Sequence, residues 1–388
     1  MLYRIKCIIE EVIAIVLKLF CLFPICDNRI IFSAYSGRSF SCNPKYIYCK
    51  LQQMYPGKFD VVWAFNEPEK FYFLKDEGVK IVKYKSVKYI YYVFTSRFYV
   101  DNVEHWSVLR FRKGQHVINT WHGGGTFKQV GTDRADTNVL EKKHVLKKMS
   151  QITSFVSSSR AFEELTLKGS FSYKGFVLKT GMPRNDLLVN EFGNKNLRKS
   201  ILEKLNITED THVLLYAPTF RKSGDVPTST INFSDLLVTL KDKFGGQWKI
   251  LLRGHYYMKS DCLSTTFKIE DYQQDVSSYA DMQELLLVAD VLVTDYSSSM
   301  WDFSLMKKPV LLFTPDVDQY INERTFYWPI DEWPYSYSKT NESLLAAISS
   351  FDADAYNAKV VAYMQKTESY ETGSAAEQIC NYIDSKMQ

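Results

Sequence analysis

The chain has 388 residues, 46% of them hydrophobic and 24% charged, a balance that suits two globular cores and excludes a disordered chain or a multi-span membrane protein. Lysines and arginines exceed acidic residues by 48 to 44, a net charge of +4; this favours anionic ligands or an anionic lipid surface and, without an arginine-rich tract, excludes nucleic acid as a partner. Seven scattered cysteines with no Cys-x-x-Cys pair point to reduced thiols, a cytoplasmic location and no metal site.

The chain opens with Ile5, Ile8, Ile9, Val12, Ile13, Val16 and Leu17 at helical spacing, interrupted by Glu10, Glu11 and Lys18. A membrane-spanning helix takes about 20 mostly uncharged apolar residues, and a signal peptide takes an unbroken apolar middle. Residues 1–27 are therefore expected to form an amphipathic helix. It either lies on the membrane surface with Arg4, Lys6 and Lys18 near the headgroups, or packs on its own domain.

Beyond Pro24 strands and helices alternate. Strand-like runs are Arg29 to Ala34, Phe59 to Phe65, Val79 to Tyr84, Phe98 to Asp101, Val117 to Trp121, Ser154 to Ser157 and Phe176 to Thr180. The helical stretches between them are Lys45 to Met54, Pro68 to Lys75, Val87 to Thr95, Thr137 to Met149 and Arg160 to Leu167. A polar bridge, Glu191 to Lys199, leads to a second series with strands Val213 to Ala217, Lys249 to Arg253, Val291 to Thr294 and Val310 to Phe313. Its helices begin with Phe233 to Phe244, Asp281 to Val288 (with Asp281 and Glu284 as a capping-box pair) and Ser298 to Met306. This grammar predicts an α/β protein with two doubly wound parallel sheets, residues 28–193 and 194–388, facing each other across a cleft.

Val117 to Trp121 delivers His122, Gly123, Gly124 and Gly125 to the loop at its carboxyl end, where open α/β sheets bind ligands. Consecutive glycines let backbone N–H groups approach an anion closely, and His122 is the side chain there able to move a proton near neutral pH. The same pattern also fits a strand ending in a turn with a hydrogen-bonded histidine. Gly181-Met-Pro-Arg-Asn-Asp186 has turn and helix-start chemistry and places Arg184 and Asn185 on the same edge.

In the second series each strand ends in polar or basic residues. Val213 to Ala217 runs into Pro218, Thr219, Phe220 and Arg221; Lys249 to Leu252 into Arg253, Gly254 and His255; Val291 to Val293 into Thr294, Asp295, Tyr296, Ser297 and Ser298. Sharing one sheet edge, these ends assemble two arginines, a histidine and hydroxyl donors around a helix start, which is an anion site. The plainer alternative is that the serines cap the helix and Asp295 accepts bonds from the turn.

These residues carry a resemblance. Trp121-His-Gly with Lys128 and Gly131, Gly181 to Asp186, Tyr216-Ala-Pro-Thr-Phe-Arg221, Arg253-Gly-His255, Asp281 to Leu286, Ala289 to Ser298, Phe303 to Pro309 and Tyr320 to Tyr327 resemble the CDP-glycerol glycerophosphotransferases of teichoic-acid synthesis, over roughly residues 28 to 330. Two departures stand out. The family's His-Gly-Thr-Pro-x-Lys loop is one residue longer here, and Tyr256 replaces the proline that usually follows Arg-x-His.

The resemblance implies a glycosyltransferase-B (GT-B) fold and transfer of glycerol phosphate, or a related alditol phosphate, from CDP-glycerol or CDP-ribitol to a lipid-linked saccharide or polymer acceptor. CMP leaves, no metal or other cofactor is required, and the enzyme sits peripherally on the cytoplasmic face of the membrane. The family's two essential histidines map onto His122, the expected general base, and His255. His255, Arg253, Arg221, Ser297 and Ser298, with Thr219, Thr294 and Asp295 beside them, are expected to hold the donor pyrophosphate. Gly123, Gly124, Gly125, Lys128, Arg184 and Asn185 fall on the acceptor side.

Fold alone does not fix chemistry, so a GT-B glycosyltransferase or epimerase using a UDP- or CMP-sugar is the alternative. A non-catalytic docking subunit is a third reading, against which the two histidines argue. Asp316-Val-Asp318 resembles the Asp-x-Asp of metal-dependent transferases but follows a strand beside Pro315, and is read as structural. The aromatic and basic segment Lys83 to Tyr99, with Arg110, Arg112, Lys113, Lys142, Lys143, Lys147 and Lys148, either docks a lipid or forms a half-buried helix with solvated lysines.

Overall fold

The computed structural model describes residues 2–134, 137–219, 231–254 and 270–387, without the side chains of residues 2–4, 6, 322 and 323. Two sheets organise it. The first holds β1 (Cys26–Phe32), β2 (Asp60–Phe65), β3 (Lys80–Lys83), β4 (Ser96–Asp101), β5 (His116–Asn119), β6 (Ser154–Ser157) and β7 (Phe176–Lys179), in the order β3-β2-β1-β4-β5-β6-β7. The second holds β8 (Thr211–Ala217), β9 (Gln247–Leu252), β10 (Gln273–Asp275), β11 (Val291–Thr294), β12 (Val310–Phe313) and β13 (Ser336–Ser338), in the order β10-β9-β8-β11-β12-β13. Every strand pairing is parallel. This is the two-sheet GT-B-like architecture with an N-terminal helix.

Central strands become parallel strands because both of their faces are apolar. Ile30, Ile31 and Phe32 of β1, Val61 to Phe65 of β2, and Val213 to Tyr216 of β8 are buried throughout. The two strands not foreseen, β10 and β13, are three-residue edge strands with the sequences Gln-Gln-Asp and Ser-Tyr-Ser. Neither contains the apolar run by which a strand is read from sequence. The strand order reverses between β1 and β4 and between β8 and β11, so each sheet opens a crevice at the carboxyl ends of those strands.

The last helix, Ala375–Ser385, crosses back to the first sheet, a crossing that a division at residue 194 does not include. Ile379, Cys380 and Ile383 belong to the same core as Ile47 and Leu51, and the Tyr382 hydroxyl sits 2.6 Å from Ser154 Oγ. On the way, Tyr370 N–H donates to the Ser158 carbonyl at 2.8 Å.

The first helix, Leu2–Leu17, is held to the body by its acidic side. Glu11 accepts from Arg110 at 2.7 Å and pairs with Lys147. Arg112 donates to the Phe23 carbonyl at 2.7 Å. Ala14 and Leu17 face inward, while Ile8, Ile15 and Leu19 are each 64% exposed and Leu22 84%. The helix therefore packs on its own domain and still presents an apolar face outward. Arg110, Arg112 and Lys147 serve as its anchors, and Arg4 and Lys6 lie outside the described side chains. The Val87–Thr95 helix is the half-buried alternative: Tyr89, Ile90, Val93 and Phe94 are core, and Phe20 stacks on Phe94.

Candidate active site

Three strand ends of the first sheet are stitched together around His122. Asn102, just past β4, accepts the Tyr35 N–H on its side-chain oxygen at 2.7 Å, and its backbone carbonyl lies 2.9 Å from His122 Nδ1. A carbonyl only accepts, so Nδ1 carries the proton and Nε2 keeps its lone pair. Burial pulls the imidazole down to about 4; the Asn102 carbonyl partly opposes this, and the nearby Arg184 and Lys128 charges add to it. The side chain is thus a neutral base with a fixed tautomer. Trp121, immediately before it, adopts φ +51°, a left-handed conformation that costs an ordinary residue about 1–2 kcal/mol. The Trp121 N–H bond to Asn119 Oδ1, at 2.8 Å, holds that turn.

The glycines after His122 serve packing. A Cβ on Gly123 would lie 3.2 Å from Ser298, and one on Gly124 only 2.7 Å from the Trp301 indole. The second domain packs closely against this loop, and Gly123 and Gly124 also line a cavity. Gly125 is held by the Tyr363 hydroxyl, which donates to its carbonyl at 3.2 Å.

Beneath this loop lies a buried lattice joining the two halves of the molecule. Arg184 donates to the His122 carbonyl at 2.7 Å and pairs with Asp302 at 2.8 Å. Gln283 donates to Asp302 at 3.0 Å and to Asn185 at 3.3 Å. Glu371 accepts from Met182 N–H and the Asn185 amide, each at 3.0 Å, and from the Trp301 indole N–H at 3.1 Å. Burial pushes the Glu371 carboxyl up to about 8. Arg184 and Asn185 are both buried and brace the His122 loop from below, with Arg184 also reaching a cavity wall. Asp302, Gln283, Trp301 and Glu371 were not singled out from sequence.

In the second sheet Asp295 is a joint. It accepts from Thr219 N–H at 3.0 Å, from the Thr219 hydroxyl at 2.9 Å and from Tyr296 N–H at 2.6 Å, tying β8 to β11 at the order reversal. Thr294 donates to the Ala217 carbonyl at 2.6 Å and is fully buried. Both side chains are buried and bonded within the fold. Asp281 caps Gln283 N–H at 2.9 Å, while Glu284 accepts from the Tyr279 hydroxyl, so the expected capping box does not form. Asp281 instead takes Lys45 and the Tyr46 hydroxyl from the first domain. Ser297 accepts from Ser299 N–H at 3.3 Å, and Ser298 makes no side-chain cap.

Two cavities meet at His122. The smaller, about 310 Å³, is walled by Arg253, Gly254, Ser277, Tyr279 and Arg184. The larger, about 790 Å³, is walled by Lys128, Arg38, Arg324, Thr219 and the Val139–Met149 helix. His122, Ser297 and Ser298 line both, and both volumes suit small-molecule sites. Arg253 is anchored by donating to the Val276 and Tyr279 carbonyls at 3.1 and 2.7 Å. Arg221 and His255 lie outside the described residues. Among the described residues no group of three or more His, Cys, Asp or Glu is placed to hold a metal ion.

The family profile described as CDP-Glycerol:Poly(glycerophosphate) glycerophosphotransferase matches residues 15–385. The chain belongs to that family. It is an enzyme of the CDP-glycerol glycerophosphotransferase type. It is 29% identical to the teichoic acid poly(glycerol phosphate) polymerase of Bacillus spizizenii, covering 89% of each chain. It is 28% identical to the teichoic acid glycerol-phosphate transferase of Staphylococcus aureus, covering 98% of each. It spans about half of two longer poly(glycerol phosphate) polymerases, 49% of that of Bacillus subtilis and 50% of that of Staphylococcus epidermidis. The solved structure of the wall teichoic acid polymerase TagF (H548A variant) superposes with a TM-score of 0.82 at 27% identity, covering 100% of this chain and 97% of that one.

Proposed function

We propose that this member of the family transfers glycerol phosphate, or a related alditol phosphate such as ribitol phosphate, from a CDP-activated donor to a hydroxyl of a lipid-linked or polymer acceptor. His122 Nε2 takes the acceptor hydroxyl's proton as that oxygen attacks the β-phosphorus of the donor. The new P–O bond forms as the bond to CMP breaks, and CMP leaves with the electron pair. Arg253, Ser297 and Ser298 face the donor, and the resemblance adds Arg221 and His255 as pyrophosphate partners. No protein covalent intermediate is needed, so catalysis is positioning and electrostatics with general-base help. The observation that carries this reading is a neutral histidine of fixed tautomer where two cavities meet.

The protein works against the cytoplasmic leaflet. No described helix is long and apolar enough to cross a membrane. The outward apolar face of Leu2–Leu17 and the following turn, from Ile5 through Leu22, would sink into the interfacial zone. Exposed Lys142 and Lys143 lie on the helix whose Lys147 holds Glu11.

The test is a donor panel: purified protein, an acceptor lipid, and CDP-glycerol, CDP-ribitol or UDP-sugars, with released nucleotide quantified. CMP release from a CDP-alditol is the expected result; UDP release in its place would contradict the assignment.

A further inference from the structure

We infer that Asn102 and Tyr35 are positioning residues for the transfer: Asn102 grips a left-handed turn after β1, and that turn sets the Tyr35 ring edge-on against His122, keeping the imidazole in one orientation and one tautomer. The inference rests on the transfer reading above and adds the residues that aim its base.

The turn is Tyr35, Ser36 and Gly37, with φ of +49°, +57° and +82°. Left-handed backbone is rare in residues that carry a side chain, and a run of it persists only where the surroundings fix it. Here the two neighbouring strands do so. β1 lies between β2 and β4, and each neighbour is followed at its carboxyl end by an asparagine, Asn66 and Asn102 respectively. Asn66 donates its backbone N–H to the Gly37 carbonyl at 2.7 Å and its side-chain amide to the Ser36 carbonyl at 3.0 Å. From the other side, Asn102 accepts the Tyr35 N–H at 2.7 Å. Gly37 rests on Tyr84, where a Cβ would lie 2.9 Å from the tyrosine side chain.

What the turn presents is the Tyr35 ring. Its centroid lies 5.8 Å from that of His122 at an interplanar angle of 65°, and the Trp121 ring lies 4.6 Å away at 34°. With Nδ1 on the Asn102 carbonyl, the imidazole is held at one atom and flanked by two rings. Asn102 supplies two of these restraints: its carbonyl takes the ring N–H, and its side chain holds the turn. Asn102 is fully buried, yet its amide nitrogen finds no partner among the described residues. An unpaired buried donor costs stability, so this residue suits the aiming of the base better than the strengthening of the core. The turn also reaches both cavities, Tyr35 lining the smaller and Ser36 and Arg38 the larger.

The experiment reads the imidazole directly, by nitrogen NMR of histidine-labelled protein without substrate, the His122 signals being those absent from His122→Ala. It then measures kcat and donor affinity. Wild type should show a single tautomer with the proton on Nδ1. Asn102→Ala should show both tautomers and lower kcat by roughly 10- to 100-fold, with the Kd for CDP-glycerol changed far less. Tyr35→Ala keeps the backbone grip and removes only the ring, and it serves where Asn102→Ala does not fold. Its kcat should fall, and Tyr35→Phe, which keeps the ring edge, should recover most of the loss.

Mixed tautomers in wild type, an unchanged single tautomer or unchanged kcat in Asn102→Ala, or a Tyr35→Phe variant as slow as Tyr35→Ala would overturn the inference. A tautomer shift in Asn102→Ala supports it even where no CMP is released, an outcome that would sink the transfer reading alone.

Discussion

His122 Nδ1 lies 2.9 Å from the carbonyl oxygen of Asn102, and this one contact decides what the imidazole can do. It uses the N–H of the ring on the protein and leaves Nε2 unprotonated for the substrate. Because burial holds the ring down to about 4, the base form predominates from about pH 5 upward. The acid limb of kcat/KM should fall well below pH 6, in contrast to the limb near 6.5 expected of an ordinary histidine. A rate profile with a half-point at 6.5 or above would contradict the buried, neutral imidazole.

The same burial has a consequence for stability. His122 and His105 are held neutral, down to about 4 and about 3, so between pH 6.5 and those values the unfolded chain binds more protons than the folded one. The stability contributed by these two groups therefore rises with pH through that window and is lost as the pH drops. From pH 7 to 5 the urea midpoint of wild type should lose ground to that of a His105→Gln variant, and a constant difference between the two would count against the buried neutral histidine.

Arg184 and Asp302 form a pair with side-chain exposures of 5% and 3%. Asp302→Ala leaves a buried guanidinium without its counter-charge and should cost about 3–5 kcal/mol, read as a large fall in the denaturation midpoint. Arg184→Met with Asp302→Leu removes both charges and should recover much of that stability. Activity should stay low in the double variant, because the Arg184 bond to the His122 carbonyl is gone. A fully active double variant would show that this bond does not position the base.

Glu371 gives a prediction of opposite sign. Its carboxyl is raised from the ordinary 4.5 to about 8, so between those values the folded state holds a proton that the unfolded chain releases. Stability from this group falls as pH rises toward 8. Glu371→Gln keeps an acceptor for Asn185 and Trp301, loses the Met182 N–H bond, and should cost about 1 kcal/mol at pH 6. The gap from wild type should narrow by pH 9. Parallel melting curves across that range would refute the buried neutral acid.

The parts of this fold legible in sequence are those where a local pattern suffices. Apolar runs placed the central strands, and the polar strand ends placed His122, Arg253, Ser297 and Ser298 on facing crevices. What stayed hidden is set by partners far apart in the chain. Trp301 and Glu371 meet across 70 positions, and Asn185 and Glu371 across 186. Nothing in Ser-Tyr-Glu-Thr marks Glu371 as buried. A glycine records that space is needed and not what fills it: Ser298, Trp301 and Phe127 lie closest to the three glycines after His122, and Gly123 and Gly124 also line a cavity. Thr294 and Asp295 have the polarity of ligand contacts, and only the β8 to β11 pairing shows that they are used within the fold.

Ile8, Val12 and Ile15 on the first helix are 64%, 55% and 64% exposed. Replacing all three with glutamate should abolish flotation with vesicles containing anionic lipid. Transfer to a soluble acceptor should persist, since the helix contacts the body through Glu11, Ala14 and Leu17. Flotation that survives the substitutions would place the membrane contact elsewhere.

The most direct measurement is the mass of an acceptor lipid after incubation with CDP-glycerol and either wild-type protein or His122→Ala. Wild type should add glycerol phosphate with equimolar CMP. His122→Ala should bind the donor normally and be slower by roughly 10²- to 10⁴-fold. An alanine variant that modifies the acceptor at near wild-type rate would contradict the assignment of His122 as the base.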